Sequence, residues 1–258
     1  EYIEGDEVDV DCLVHNGVIK YFLISDNFPS KTLPFFVESG GLAPSNLDKN
    51  CQFAIRNLVE RYCQKIGPKL SGLLHFEAKY DWDREQARVI EVNLRLGAAE
   101  TFYLNLWTTR INIAAEYLKM AVGATPLDSR DPPGILSTFY PSFFSVRPYI
   151  LPDAWVASIN FPPFQCRLHL RESDCECDKG KYFLLMKQEA PEAVLKDRHY
   201  IAHRLYFDVG YRIQPLARCT RALGWLLCWG DSPEDAKKHL ERLSRMFIFE
   251  AIEDESEE

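Results

Sequence analysis

The fold is decided by residues 73–96, LLHFEAKYDWDREQARVIEVNLRL. The stretch is predicted to form a β-hairpin, with one strand over 73–80, a second strand over 88–95 and a polar connector between them. Side chains alternate between the two faces of a strand, so each of these strands has one apolar face and one polar face. If the two strands pair about the midpoint of the hairpin, Glu77 lies close to Glu91.

The polar face of this hairpin carries the chemistry. Glu77, Glu91, the amide oxygen of Asn93 and the guanidinium of Arg95 crowd one patch. Carboxylates a few ångströms apart repel each other, which favours a cation between them. A set of oxygen donors suits Mg²⁺ or Mn²⁺, and Mg²⁺ commonly completes its shell with water and phosphate oxygens. The alternative interpretation is a solvated strand face of alternating charge.

The order of these residues resembles the metal-binding hairpin of the ATP-grasp superfamily. In that family a Glu on one strand is followed by Glu-x-Asn-x-Arg on the next strand and by a Gly-containing loop, here Glu77, Glu91, Asn93, Arg95 and Gly97. The resemblance implies that ATP is the cofactor and that two Mg²⁺ or Mn²⁺ ions bind Glu77, Glu91 and Asn93. It also implies that Arg95 is catalytic and stabilises an acyl phosphate and a tetrahedral intermediate, with a structural salt bridge as the alternative.

The first residues, EYIEGDE at 1–7, resemble the ATP-grasp hinge that joins the nucleotide lid to the core. The resemblance implies that the backbone around Tyr2 and Ile3 binds the adenine edge and that Glu7 binds the ribose hydroxyls. The alternative for Glu7 is an exposed strand carboxylate. The Gly-rich loop and the phosphate-binding lysines of the family precede the hinge, so we expect this chain to be the C-terminal part of a longer protein and incomplete alone.

Three residues are candidates for substrate binding. The segment VESGGLAPSNL at 37–47 resembles the loop of ATP-grasp amino-acid ligases that approaches the substrate. In that comparison Glu38 would hold a substrate ammonium group, and Gly41 would allow close approach of the backbone. His75, beside the metal hairpin, would face the substrate. The alternatives are a surface loop with a solvated Glu and a hydrogen-bonded structural histidine.

The predicted fold class is α+β, the C-terminal part of an ATP-grasp fold with an antiparallel sheet and packed helices, followed by a smaller α/β extension. The core is predicted over 1–127, a linker over 128–134, the extension over 135–250 and an acidic disordered tail over 251–258. The closing strand and helix of the extension resemble a unit of this family that often dimerises. We therefore expect a homo-oligomer.

Three local elements of the core have clear sequence signals. Asn16-Gly17 predicts a type I′ turn between two strands. A helix is predicted from Ser45, as its cap, to Gly67. A single amphipathic helix is predicted over 105–122.

The composition argues against several classes of protein. The chain has 258 residues and a net charge of −8, and this acidic balance argues against a nucleic-acid surface. No apolar run reaches the length of a membrane span. The eight cysteines are predicted to be reduced thiols of a cytoplasmic protein. A zinc site from Cys166, His169, Cys175 and Cys177 is the alternative for part of them, although the spacing is not a common zinc pattern.

Taken together, the resemblance implies an ATP-dependent carboxylate–amine ligase. ATP would phosphorylate a substrate carboxylate, and an amine would attack the acyl phosphate to give an amide, ADP and phosphate. The motifs look most like those of dipeptide-forming amino-acid ligases, with β-alanine, or a related ω-amino acid, and L-histidine as the expected carnosine-type substrates. The alternatives are a biotin-carboxylase-like or carbamoyl-phosphate-type enzyme and a non-catalytic ATP-grasp module.

Overall fold

A computed structural model describes residues 3–29, 38–124, 126–127, 155–161, 182–214 and 222–254. Tyr2, the linker over 128–134 and the four residues of the zinc alternative lie outside the described residues. The chain divides into two compact units, the first formed by residues 1–27 with 41–156 and the second by 28–40 with 157–258. None of the helices that the structure describes combines the length and the apolar character that a bilayer crossing requires.

The first unit is built on an antiparallel sheet with the strand order β5-β4-β1-β2-β3. Its strands are β1 (Asp6–His15), β2 (Val18–Asn27), β3 (Gly41–Ala43), β4 (Gly72–Asp81) and β5 (Gln86–Asn93). Both turn residues between β1 and β2 are left-handed, with φ of 53° at Asn16 and 79° at Gly17. The predicted hairpin with a type I′ turn is therefore confirmed.

The core of the first unit lies between this sheet and helix α1 (Lys49–Ile66). The buried side chains of β1, β4 and α1 include Val8, Val10, Cys12, Leu74, Phe76, Ala78, Ile55, Val59 and Cys63. The alternation predicted for β4 is confirmed, because its apolar side chains are in this core. Burial of one large apolar side chain such as Phe76 contributes about 1.5–3 kcal/mol.

Helix α1 begins later than the sequence predicts. Its N-cap is Asp48, whose carboxylate accepts hydrogen bonds from the backbone N–H groups of Asn50 and Cys51 at 2.8 and 3.0 Å. These bonds satisfy donors of the first turn that have no partner within the helix. Ser45, the predicted cap, is buried before the helix, and its hydroxyl oxygen accepts from the N–H of Leu47. The prediction of a helix start at Ser45 was therefore wrong.

A β-bulge changes the second strand of the hairpin formed by β4 and β5. Glu77 pairs with Glu91, but Ala78 pairs with Val89, so Ile90 is an extra residue and is 44% exposed. Val89, rather than Ile90, packs against the core. Uninterrupted alternation over the predicted strand 88–95 places Ile90 on the apolar face with Val92, and this expectation was wrong because simple alternation does not include the bulge.

The position of Arg95 also differs from the prediction. Strand β5 ends at Asn93, and the chain bends at Leu94 and Arg95. Arg95 is an exposed side chain at the start of a loop, so its predicted placement on a rigid strand was wrong. The backbone leaves the sheet here because Gly97 of the same loop donates its N–H to the side chain of Asp11.

Two helices replace the one that was predicted over 105–122. They are α2 (Thr101–Thr109) and α3 (Ile113–Ala121). The chain is left-handed at Arg110, with φ of 59°, which ends α2. Asn112 then caps α3 by accepting from the N–H of Ala115 at 3.0 Å.

The second unit contains two groups of paired strands, in the orders β6-β10-β8 and β11-β7-β9. The strands are β6 (Trp155–Phe161, most of which lies in this unit), β7 (Tyr182–Glu189), β8 (Tyr200–Leu205), β9 (Arg212–Ile213), β10 (Gly224–Gly230) and β11 (Ile248–Asp254). The helices are α4 (Glu192–Leu195) and α5 (Pro233–Ser244).

The first residues of the predicted acidic tail belong to a strand. Strand β11 pairs antiparallel with β7 as far as Asp254, opposite Tyr182. The prediction of disorder was therefore wrong over 251–254, where Ile252 and Leu184 are paired. The acidic composition of residues 251–258 favoured a disordered tail, but backbone pairing with the distant strand β7 makes residues 251–254 part of β11. Residues 255–258 lie outside the described residues.

Candidate active site

A row of three carboxylates crosses three neighbouring strands of the first unit. Strand β4 lies between β1 and β5, and the register aligns Glu77 with Asp9 on one side and with Glu91 on the other. Burial, the charge of Asp9 and a hydrogen bond with Glu91 raise the pKa of Glu77 to about 7. The ionised form of Glu77 is thus unfavourable unless positive charge lies nearby. Sequence reasoning placed Glu77 beside Glu91 but missed Asp9.

The next row of the same face contains a buried histidine. Here Asp11, His75 and Asn93 are aligned across the three strands. Nδ1 of His75 lies 2.9 Å from Oδ1 of Asp11, and Nε2 lies 3.8 Å from Asp9 and 3.9 Å from Glu77. Burial by itself lowers the pKa of His75, but the bond to Asp11 and the three nearby carboxylates outweigh it, so the pKa is raised. His75 therefore holds a second proton more readily than a free imidazole does, beside the carboxylate row.

Asp11 joins four parts of the first unit. It is 2% exposed, and Oδ1 accepts from the backbone N–H of Gly97 at 3.2 Å as well as from His75. Its Oδ2 accepts from Nδ2 of Asn105 in α2 at 2.7 Å. Oδ1 of Asn105 accepts in turn from the hydroxyl of Tyr21 in β2 at 2.6 Å. Asp11 thus holds β1, β4, the loop after β5 and α2 together.

Asp11 and Asn105 were not predicted as site residues. The available signal for Asp11 was a carboxylate inside a strand whose neighbours Val10 and Cys12 are core residues. The signal for Asn105 was an amide in the middle of an apolar helix. A fully buried side chain of this kind needs hydrogen-bond partners, and both residues supply them to each other.

Glu91, Asn93 and Arg95 lie at the edge of the same face. Nδ2 of Asn93 donates to Oε1 of Glu91 at 2.6 Å. This bond, a second bond with Glu77 and the charge of Arg95 lower the pKa of Glu91. Arg95 itself donates to the carbonyl oxygen of Leu96 at 3.0 Å. In this structure the guanidinium of Arg95 therefore affects Glu91 through its positive charge.

The loop after β5 needs a glycine at 97. A Cβ atom there would lie 2.6 Å from Cγ2 of Thr101 and 2.8 Å from Cε1 of His75, which is closer than carbon atoms approach without a shift. The loop that carries Arg95 is therefore packed directly against the histidine of the carboxylate face. Any larger residue would push one of them away.

The donors fit a hard divalent cation. Asp9, Glu77, Glu91 and Asn93 offer oxygen atoms, which Mg²⁺ and Mn²⁺ prefer. The raised pKa of Glu77 means that its ionised form is disfavoured in this structure and would be favoured by a bound cation. Oδ1 of Asp9 already accepts from Nδ2 of Asn27 at 3.0 Å, which orients this carboxylate. The three predicted metal ligands are therefore brought together on one face, with Asp9 added to them.

Two of the predicted nucleotide residues, Ile3 and Glu7, lie at the start of β1. Ile3 lies partly buried in the segment before the strand. Oε2 of Glu7 lies 3.4 Å from Nζ of Lys79, one row beyond the carboxylates on the same face of the sheet. The predicted contacts of Tyr2, Ile3 and Glu7 with ATP stay predictions.

The three predicted substrate residues lie in three different parts of the structure. His75 is 5% exposed and belongs to the carboxylate face. Gly41 lies in β3, where a Cβ atom would meet the carbonyl oxygen of Asp26 at 2.7 Å, so its lack of a side chain is required by the pairing with β2. Glu38 is an exposed residue of the second unit. Their contacts with substrate stay predictions.

Comparison with solved structures defines the class of fold. An L-amino acid ligase from Bacillus licheniformis has a TM-score of 0.72 and 23% identity, covering 96% of this chain and 52% of that one. A phosphoribosylglycinamide synthetase from Anaerococcus prevotii has a TM-score of 0.70 and 13% identity, covering 96% of this chain and 54% of that one. The biotin carboxylase domain of the Hydrogenobacter thermophilus 2-oxoglutarate carboxylase, solved with MgADP and bicarbonate, has a TM-score of 0.64 and 14% identity, covering 97% of this chain and 47% of that one.

The chain therefore has the fold of part of an ATP-grasp enzyme, and the α+β prediction is confirmed. No protein-family model matches it. Carnosine synthase 1 of Mus musculus is 34% identical over 107 residues, which are 42% of this chain and 12% of that protein. Carnosine synthase 1 of Gallus gallus is 30% identical over 137 residues, 52% of this chain and 14% of that protein. The chain is thus similar in sequence to carnosine synthase 1 over about half of its length, and the matched segment spans about one-seventh or less of these curated relatives.

Proposed function

We propose that the protein containing this chain is an ATP-dependent carboxylate–amine ligase. The observation that carries the proposal is the row formed by Asp9, Glu77 and Glu91, in which the pKa of Glu77 is raised to about 7. Three aligned carboxylates without a cation destabilise the first unit, so their arrangement is best explained by a role in binding Mg²⁺ or Mn²⁺. Relatives that use the same fold support ATP as the nucleotide.

The proposed reaction transfers the γ-phosphoryl group of ATP to a substrate carboxylate. The amine of the second substrate attacks the acyl phosphate, and the products are an amide, ADP and phosphate. A bound pair of divalent cations would supply charge neutralisation at the transferred phosphoryl group. Glu77, Glu91 and Asn93 hold these ions, with Asp9 as a further oxygen donor.

Arg95 is the residue we propose to act on the reacting group. It is exposed, and one of its described hydrogen bonds goes to the neighbouring backbone carbonyl of Leu96. A guanidinium is a planar fork that matches carboxylate and phosphate oxygens. Arg95 would stabilise the acyl phosphate and the anionic tetrahedral intermediate. Its loop is fixed to the metal face through Gly97 and Asp11, which keeps the guanidinium near that face.

We propose amino acids as the substrates, joined into a dipeptide. The sequence relation to carnosine synthase 1 of mouse and chicken supports a carnosine-type reaction of β-alanine, or a related ω-amino acid, with L-histidine. In this proposal Glu38, Gly41 and His75 are the substrate-binding residues, and Tyr2, Ile3 and Glu7 contact ATP. A homo-oligomer is part of the same proposal.

The proposal also includes a reducing, cytoplasmic location. The described cysteines Cys12, Cys51, Cys63 and Cys228 are free and buried. Burial raises the pKa of the Cys51 thiol to about 12 and that of the Cys63 thiol to about 11, so these groups stay protonated and unreactive at neutral pH.

The test is ADP release by the full-length protein with Mg²⁺ and ATP across a panel of paired amino acids. The ligase proposal expects release that requires both partners, with β-alanine and L-histidine as the leading pair. Mass spectrometry of the product identifies the dipeptide. Release with bicarbonate alone would instead assign the protein to the biotin-carboxylase-like or carbamoyl-phosphate class. Tight ATP binding without turnover with any pair would favour a non-catalytic module.

Matched variants separate catalysis from folding. Glu91→Gln and Arg95→Ala each remove one charged group of the site, and we expect both to abolish ADP release. Glu192→Gln and Arg245→Ala remove exposed charges of the second unit that form surface ion pairs, so they should leave turnover unchanged. Equal loss in all four variants would contradict a specific role for Glu91 and Arg95.

A further inference from the structure

The second unit carries a cluster of potential metal ligands that the proposed reaction does not use. One ligand atom from each of His199, Asp235 and His239 lies within 4.8 Å of the other two. His199 immediately precedes β8, and Asp235 and His239 are four residues apart on α5, which places them on the same side of the helix. These three side chains, all within the part of the chain that the structure describes, lie close enough together to share one ion.

His199 is held in an orientation and tautomer that suit a ligand. It is 4% exposed, and its Nδ1 lies 3.2 Å from the backbone carbonyl oxygen of Trp229. Since that oxygen can only accept, Nδ1 carries the proton and the lone pair is on Nε2. The side chain that donates to Nε2 is Arg198, through Nε at 2.8 Å. Arg198 is exposed, so it can move into solvent and release Nε2.

Asp235 and His239 are oriented by bonds of their own. One carboxylate oxygen of Asp235 lies 3.1 Å from Nε2 of His239, and the other accepts from the backbone N–H of Asp231 at 3.2 Å. The rings of His199 and His239 are stacked, with centroids 3.4 Å apart and planes 12° apart. Their nitrogen lone pairs therefore lie in nearly parallel planes, and convergence on one ion requires a rotation of His239. Its side chain is 16% exposed.

We propose that His199, Asp235 and His239 bind one divalent transition-metal ion of the zinc, nickel or cobalt class. Two imidazoles and one carboxylate are the donors that such ions prefer, whereas Mg²⁺ prefers oxygen alone. Water would fill the remaining positions. The ion would connect the chain before β8 to α5, in a different unit of the chain from the hard-cation ligands.

Two arginines disfavour binding of the ion, so removing one of them is expected to strengthen metal binding. Arg198 competes for the lone pair of His199, and Arg242 lies 3.4 Å from Nδ1 of His239. Removing Arg198 frees Nε2 and takes away a positive charge. A metal site therefore predicts that Arg198→Gln binds the ion more tightly, by roughly three- to tenfold on the strength of one charge-assisted hydrogen bond.

The test is titration of the full-length, tag-free protein with Co²⁺ and Ni²⁺ in excess Mg²⁺, which keeps the hard-cation ligands occupied. Cobalt absorption bands report nitrogen and oxygen ligation, and calorimetry gives the stoichiometry. We expect one ion per chain, and affinity at least about tenfold lower in His239→Gln and in Asp235→Asn. Arg198→Gln should bind more tightly, and His203→Gln, a histidine of the same unit outside the cluster, should bind as the parent does.

Two results would overturn the proposal. One is the absence of Co²⁺ and Ni²⁺ binding in both the parent protein and Arg198→Gln. The other is binding that Asp235→Asn and His239→Gln leave unchanged. Circular dichroism checks that each variant is folded, and Asp235→Asn, which keeps the shape of a partly exposed side chain, remains informative if His239→Gln does not fold.

Discussion

Replacing Glu77 by glutamine separates the stability of the first unit from its ability to bind a cation. Glutamine keeps the shape and the hydrogen-bonding oxygen of the side chain but removes the charge that Asp9 and Glu91 oppose. The raised pKa of Glu77 means that its ionised form is disfavoured in the folded protein. This cost is absent below pH 4.5, grows between pH 4.5 and about 7, and is fully present above pH 7.

The size of the expected stability difference follows from the pKa of Glu77. A carboxyl pKa raised from 4.5 to about 7 corresponds to about 3 kcal/mol, at about 1.4 kcal/mol for each pKa unit. The side chain is 26% exposed, and solvent screening reduces the expected effect to about 1 kcal/mol. We therefore expect Glu77→Gln to be more stable than the parent by about 1 kcal/mol at pH 8 in EDTA, and equal to it at pH 4.

The assay is urea unfolding followed by circular dichroism, with and without Mg²⁺. Ligand linkage should stabilise the parent in Mg²⁺ and leave Glu77→Gln unchanged, so that the order of stabilities is reversed. Mn²⁺ affinity of the parent should also fall about tenfold for each pH unit below about 7, because Glu77 must lose its proton to bind the ion. A variant that is less stable than the parent in EDTA at pH 8, or that gains as much from Mg²⁺, would refute the reasoning.

Three further substitutions test the framework of the site. Asp11→Asn should lower the free energy of unfolding in urea by about 1–3 kcal/mol, because one of the buried groups that donate to Asp11 is left without an acceptor. NMR titration should also show a lower pKa for His75, and an unchanged pKa would contradict the contact between His75 and Asp11. Gly97→Ala should lower Mn²⁺ affinity while the far-ultraviolet spectrum stays the same, since its Cβ atom collides with His75. Asp48→Ala should cost about 1 kcal/mol of unfolding free energy through the lost helix cap, whereas Asp83→Ala in the exposed hairpin connector should cost little.

The sequence was sufficient for elements whose partners are close in the chain. The Asn16-Gly17 turn requires left-handed residues, and this local requirement predicted the first hairpin. The connector of the second hairpin is short, so pairing about its midpoint brought Glu77 beside Glu91. In both cases the geometry depends on residues within about twenty positions of each other.

Features that depend on distant partners could not be predicted in this way. The role of Asp9 and Asp11 depends on the pairing of β1 with β4, some sixty residues later, and hydrophobic periodicity does not specify which strands become neighbours. The break at Arg110 was also missed, because the apolar spacing continues through it. There Asn112 begins a new helix, a capping signal that the spacing obscured.

The extra residue in β5 has a consequence for comparing this chain with its relatives. On either side of Ile90, the partners Ala78 with Val89 and Glu77 with Glu91 continue the normal alternation of faces. Loss of residue 90 alone would therefore leave each of these pairs intact and give an uninterrupted ladder. When a relative has a shorter second strand, a one-residue gap in the alignment belongs at position 90. A gap placed earlier would shift Val89 away from Ala78, and a gap placed after residue 91 would shift Glu91 away from Glu77.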